Sequence, residues 1–248
     1  MGKYINKNEI SIKREFQGIT YFERPTIKVN EEEYQRFAIQ THFIQQKESY
    51  LEIVKKYVEP LSKPQDILLL SEKIVALCQD NTVDIEDVKL GWWAKTLSKR
   101  ATSNDAGIAM DEPYKLQLAI DIAGLSRILL AVFCGAVGKL LGRRGWFYKV
   151  AGHEIAGIDG FYSRSSFELY HRLAILNPRE PDKVCQEIYE QFNIAAAIVD
   201  ANDLGQDYLG SYGIEDRKTF METIRDNPAG QSNEMTPLIL IRKIEKKS

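Results

Sequence analysis

Two apolar runs that each end in an aspartate constrain this chain more than anything else in it. One is Glu154-Ile155-Ala156-Gly157-Ile158-Asp159-Gly160; the other is Ala195-Ala196-Ala197-Ile198-Val199-Asp200-Ala201-Asn202-Asp203-Leu204-Gly205. Such a run suits a buried strand that carries an acid to a sheet edge and turns away at Gly or a polar residue. Asp159 and Asp200 are therefore candidates to share a divalent cation, with Asn202 and Asp203 as further oxygen donors. Mg2+ and Mn2+ favour hard oxygen ligands, commonly carboxylates together with phosphate oxygens of a nucleotide. An aspartate after a strand also caps the turn that follows, and the sequence leaves both readings open.

The chain around these runs has the composition of a folded domain. Its 248 residues are 44% hydrophobic and 27% charged, which excludes disorder and allows one large domain or two small ones. With 33 basic against 35 acidic residues, the overall charge gives no pull toward nucleic acid or anionic lipid, so neither nucleic acid nor membrane is expected as a partner. Three cysteines, Cys78, Cys134 and Cys185, lie far apart in apolar surroundings without a CxxC spacing, so they read as buried reduced thiols. The first residues are polar and charged, and the longest apolar run, Ile128 to Val137, is shorter than the roughly 20 residues a bilayer needs. The expectation is a cytoplasmic protein.

The order of elements predicts an α+β fold, mixed sheets with packed helices, because helical and strand patterns are interspersed irregularly. Residues 1–36 read as an N-terminal arm or edge strands. Residues 37–243 read as the main domain and 244–248 as a basic tail. Within the main domain, Phe37 to Ile44 reads as a strand entering a loop, Lys47 to Val58 as a helix, and Asp66 to Leu70 as a buried strand ending in Ser71-Glu72-Lys73. Asp84 to Ala101, Pro113 to Leu130, Asp182 to Phe192 and Lys218 to Ile224 read as helices, the last two flanking a strand at Ala195 to Val199. Asp226 to Met235 is a loop by composition, followed by a strand at Pro237 to Ile241.

The segment Cys134 to Val150, CGAVGKLLGRRGWFYKV, has two readings. Its four glycines free the backbone to approach an anion, and Lys139, Arg143 and Arg144 supply charge. Alternatively, it is a glycine-containing helix end and a basic turn before a strand at Trp146 to Val150. No Walker A, GxGxxG or GxSxG motif occurs, and His42, His153 and His171 have no zinc spacing.

With these residues in hand, the chain resembles the coenzyme F-420-0:gamma-glutamyl ligase family. DILLLSEKIVAL at Asp66 to Leu77 is similar to that family's DVLVVSQKIVSK, and AGIDG at Ala156 to Gly160 to its NAGVDxSN. LNPREPDKVCQEIYEQF resembles its LPxDPDxSAxxIRxxL helix. AIVDANDLG at Ala197 to Gly205 resembles its VIISDTxGR, and AGQSNEMTPLILIRK at Ala229 to Lys243 its MGExxEGIPVVLVRG.

The resemblance implies an α+β fold, a homodimer with its site near the subunit interface, and GTP (or ATP) as co-substrate with Mg2+ or Mn2+. It implies an amide bond between L-glutamate and a small carboxylate substrate, formed through a phosphorylated carboxylate. Carried over by position, Asp159 and Asp200 match the metal-binding aspartates. Thr41, His42, Glu72, Lys73, Gly230, Gln231 and Glu234 match nucleotide-contacting positions. Leu77 stands where the family has a lysine, Ala201 where it has a metal-binding threonine, and Tyr162 near its asparagine. The RxWRxG pattern is absent, and Lys139, Arg143 and Arg144 are candidates to replace the missing charge. A non-catalytic homologue that binds a nucleotide or small ligand, and a purely structural protein, are the alternatives.

Overall fold

Ile67-Leu68-Leu69-Leu70 carries apolar side chains at every position, the pattern of a strand covered on both faces. A computed structural model describes residues 11–99, 101, 110–143, 145–161, 169–202, 205–229 and 234–245. In it that run is β4 (Ile67–Ser71), in a seven-stranded sheet with β1 (Ile12–Phe16), β2 (Ile19–Val29), β3 (Glu32–Ile39), β8 (Ala195–Asn202), β9 (Gly205–Tyr212) and β10 (Leu238–Lys243). The order is β1-β2-β3-β10-β4-β8-β9. Neighbours run antiparallel except β4 and β8, which are parallel, with Leu68 opposite Ala196 and Ser71 opposite Val199. The protein is thus α+β.

Strand alternation divides the core in two. Leu68, Leu70, Ala196, Ile198, Leu238 and Leu240 face one way, against α1 (Tyr50–Tyr57), α2 (Glu72–Cys78) and α9 (Pro181–Phe192) through Val54, Val75 and Ile188. Leu69, Ala197, Val199, Ile239 and Ile241 face the other way, against Phe220 and Ile224 at α10 (Arg217–Thr223). On α9 the thiol of Cys185 is pushed up to about 12, first by burial and then by Asp182, as suits a packed, reduced cysteine. Arginines fasten loops to the sheet. Arg242 on β10 makes a two-pronged pair with the buried Asp66 at 2.8 and 2.6 Å, and Arg36 on β3 pairs with Asp226 and donates to the Thr223 carbonyl.

This sheet and its helices form one compact unit, residues 1–80 and 178–248; residues 81–177 form a second. In the first, Gln79 holds Arg179 through both its amide oxygen (2.7 Å) and its amide nitrogen (2.8 Å). In the second, the Asn81 carbonyl accepts from the Leu176 N–H at 3.0 Å and the Asn81 amide donates to the Asn177 carbonyl at 2.6 Å. The chain therefore leaves and re-enters the sheet unit at one place.

The second unit contains β5 (Thr82–Asp84), a 3-10 turn (Ile85–Asp87), α3 (Trp92–Ser98), α4 (Pro113–Ala123), α5 (Leu125–Leu140), α6 (Trp146–Ala151), α7 (His153–Ala156), β6 (Asp159–Gly160), α8 (Leu169–Arg172) and β7 (Leu173–Ile175). Its three short strands order as β5-β7-β6. Several expectations are corrected here. The helix read over Asp84 to Ala101 is a strand end, a 3-10 turn and the short α3. The helix read over Pro113 to Leu130 breaks at Gly124, where φ is +83°, and the chain bends by 119° into α5. Trp146 to Val150 is helical, not a strand, because its aromatic residues pack on α5. There, Gly135 and Gly138 allow close approach: a Cβ on Gly138 would lie 2.9 Å from the Arg143 carbonyl oxygen and 3.0 Å from the Trp146 ring. The glycine and helix-end reading of this segment is the one observed, followed by a helix.

Helix propensity alone favours alanine over glycine by about 1 kcal/mol. Here Gly138→Ala is expected to destabilise the second unit by about 1–3 kcal/mol through overpacking against α6. Thermal denaturation checks the sign; a stabilised variant would show that α5 and α6 have room to part.

Candidate active site

The register of the four central strands decides which candidate residues meet. Ile39 ends β3 opposite Leu238, which begins β10, and Leu238 also lies opposite Leu70 near the end of β4. β8 runs beside β4 in the same direction, so Val199 lies level with Ser71. The carboxyl ends of β3, β4 and β8 and the amino end of β10 thus form one edge. Thr41, Glu72, Lys73 and Glu234 follow or precede these ends, while Asp200 lies within β8, which Asn202 ends. In open sheets with parallel strands, ligands settle at the carboxyl ends.

At β3, the Thr41 N–H donates to the Met235 carbonyl at 2.9 Å, which ties this loop to the segment before β10. Thr41 is buried and its hydroxyl donates to the His42 carbonyl. The His42 ring stacks on Tyr57, with Nδ1 2.8 Å from the Tyr57 hydroxyl and Nε2 2.7 Å from a Glu48 carboxylate oxygen. Burial pushes the Glu48 carboxyl up. Hydrogen bonds from the Gln45 N–H and the His42 ring, with the His42 and Lys56 charges, outweigh it and hold the carboxyl below its ordinary value.

At β4, the Ser71 N–H donates to the Pro237 carbonyl at 2.9 Å and extends the ladder. The chain then turns directly into α2, so Glu72 and Lys73 occupy its first helical turn; Glu72 is buried and Lys73 half-buried. Before β10, Glu234 is paired with Arg24 of β2, whose Nε also donates to the Pro228 carbonyl at 2.9 Å. The Glu234 carboxylate, expected to face a nucleotide, is the partner of a cation that is 3% exposed.

Asp200 is not at a strand end. β8 continues through Asn202 and pairs with β9, a strand that the sequence reading missed, and Asp200 is half-buried directly opposite Asp207. Two acids opposed across an antiparallel pair repel one another. The Asn-Asp-Leu-Gly sequence after Ala201 was the available signal for this hairpin.

The remaining described candidates belong to the second unit. Asp159 is half-buried on the two-residue β6 opposite Ile175; the run before it contains the helix α7 rather than a strand, since the Ile155 and Ala156 N–H groups both donate to the Gly152 carbonyl at 3.2 Å. Lys139 is at the end of α5 and Arg143 just beyond it, both exposed; Gly138 beside Lys139 serves helix packing, and Gly142 beside Arg143 takes the left-handed turn at φ +67°. Arg144, Asp203, Gly230 and Gln231 fall outside the described residues. Among the described residues, no group of three or more His, Cys, Asp or Glu is disposed to hold a metal ion.

Two outcomes follow. Glu234→Ala is expected to destabilise the protein by about 3–5 kcal/mol without any ligand, because it leaves Arg24 buried and unpaired; equilibrium denaturation reads this. Glu48, held low in the fold, stabilises it above the ordinary carboxyl pKa of 4.5, and that contribution is lost as pH falls through the lowered value. Glu48→Gln should therefore melt below the wild type at neutral pH, and the gap should close under acid.

No curated protein matches this chain. The sequence model of the F420-0:Gamma-glutamyl ligase family matches residues 38–199. That span runs from the end of β3 to the residue before Asp200 and takes in Thr41, Glu72, Lys73 and Asp159, well over half of the 248 residues. On that match, the chain belongs to the F420-0:Gamma-glutamyl ligase family.

Proposed function

We propose that this protein is a nucleotide- and metal-dependent ligase that forms an amide bond, of the gamma-glutamyl type, through a phosphorylated carboxylate. The observation that supports this most is the sheet edge formed by the carboxyl ends of β3, β4 and β8, with Thr41, Glu72 and Lys73 following the first two and Asp200 two residues before the end of the third, taken with the family to which the chain belongs. In the reaction, a substrate carboxylate attacks the terminal phosphoryl group of GTP or ATP, releasing the nucleoside diphosphate. An amine, that of L-glutamate in the family's reaction, then displaces phosphate from the acyl phosphate and loses a proton.

The residues fit these tasks in kind. Asp200 opposite Asp207 offers an all-oxygen donor set of the kind Mg2+ or Mn2+ takes, and a cation between them would relieve their repulsion. By the family resemblance, Asp159 matches the first of the two metal-binding aspartates and Asp200 the second. When bound, the ion neutralises charge on the phosphoryl oxygens. Lys73 supplies a positive charge to the phosphates, and Thr41 fixes the loop after β3 through its backbone bond to Met235.

A second reading, a non-catalytic homologue that binds the nucleotide, draws support from Leu77. It occupies the family lysine's position and is 0% exposed in the core, so no cation can act from there.

Calorimetric titration of GTP and of ATP, with and without Mn2+, tests the proposal. Asp200→Asn is expected to weaken metal-dependent nucleotide binding at least tenfold; unchanged binding would remove Asp200 from the site. Asp207→Asn should weaken Mn2+ binding while raising the Tm of the metal-free protein by a few degrees, as relief of like charge requires. Phosphate release on adding glutamate and a carboxylate acceptor separates the two readings: binding without release favours the second.

A further inference from the structure

We propose that the exposed face of α5 and the basic turn after it dock on an anionic lipid surface, with α5 lying in the plane of the interface. α5 is apolar on two sides. One side is spent inside the second unit, where Ile128, Ala131 and Gly138 are buried. The other faces solvent: Leu130 is 55% exposed, Phe133 65%, Leu140 86% and, just past the helix, Leu141 63%. At 3.6 residues per turn Leu130, Phe133 and Leu140 share one stripe, and no charged residue interrupts it. Isolated exposed apolar residues are ordinary, but a contiguous stripe marks an interaction surface.

Charge identifies the occupant. Between Asp121 and Glu154 the chain carries five Lys and Arg residues, Arg127, Lys139, Arg143, Arg144 and Lys149, and no Asp or Glu, although the whole chain is formally -2. Arg127, Lys139, Arg143 and Lys149 are exposed. An exposed apolar stripe with cations along the same segment, and with Trp146 and Tyr148 just beyond the helix, is the pattern of an in-plane interfacial helix. Anionic headgroups attract each such cation, and long basic side chains reach them while their stems stay in the apolar layer. A second copy of this chain suits the patch poorly. A two-fold contact centred on α5 would set these cations against one another with no acid in the segment to pair them. Insertion across a bilayer is equally unsuited. No single helix is long and apolar enough, and the α4–α5 pair is bent by 119° with Leu116, Leu118 and Ala119 of α4 buried in their own unit.

Flotation of the full chain with vesicles tests this. We expect it to float with equimolar phosphatidylcholine and phosphatidylglycerol vesicles, not with phosphatidylcholine alone, and to release as salt is raised. Phe133→Gln with Leu140→Gln should cut partition at least tenfold. Arg143→Gln with Lys149→Gln should cut it several-fold on the mixed vesicles while leaving the melting temperature in place, since both side chains are exposed. No flotation on the mixed vesicles, or flotation that neither pair of substitutions reduces, overturns the proposal. So does a dimer in solution that Phe133→Gln with Leu140→Gln converts to monomer, because a second copy then covers the face.

Discussion

Parallel pairing between β4 and β8 is the contact on which the rest of the sheet unit depends. Its two strands are separated in sequence by the entire second unit, and neither has a solvent face to spare: Leu68, Leu69, Leu70, Ala196, Ala197 and Ile198 are all buried. Because these strands point the same way, their carboxyl ends lie at one edge, where β3 and β10 also deliver their adjoining loops. The candidate site is a consequence of that register. A slip of one residue would turn every side chain to the opposite layer and dismantle both the core and the edge.

The elements that the chain displays openly are those with a sustained period or an uninterrupted apolar run. Leu68–Leu70, the Val184/Ile188 face of α9 and Leu238–Ile241 fall into this class, and the structure has them within a residue or two of their expected ends. β9 was hidden because Gly205-Gln206-Asp207-Tyr208 mixes glycine and polar residues, so its strand character comes from pairing with β8 rather than from its own pattern. The second unit was misread for a related reason. Short apolar stretches such as Trp146–Ala151 and Ile155–Ile158 do not distinguish strand from helix, and the deciding factor, the glycine face of α5, lies elsewhere in the sequence.

The site residues show the same division. The family resemblance indicated Glu72 and Lys73 and the apolar run before it indicated Asp200, and the strand order sets β4, which Glu72 and Lys73 follow, beside β8, which carries Asp200. Neither signal showed that Glu234 and His42 have partners inside the protein. Arg24, remote in sequence, holds Glu234, and Glu48 with Tyr57 holds His42. Nor did they reveal Asp207, whose relation to Asp200 exists only once the hairpin has formed.

The amide clasp between Gln79 and Arg179, with its counterpart between Asn81 and Asn177, has a consequence for how such a protein can change. Loop closure costs little more for a long excursion than for a short one once its ends are fastened together. Residues 81–177 therefore amount to an exchangeable cassette, able to lengthen, shrink or acquire an apolar helix while strand order stays fixed. Selection can remodel that excursion without disturbing the register of the sheet.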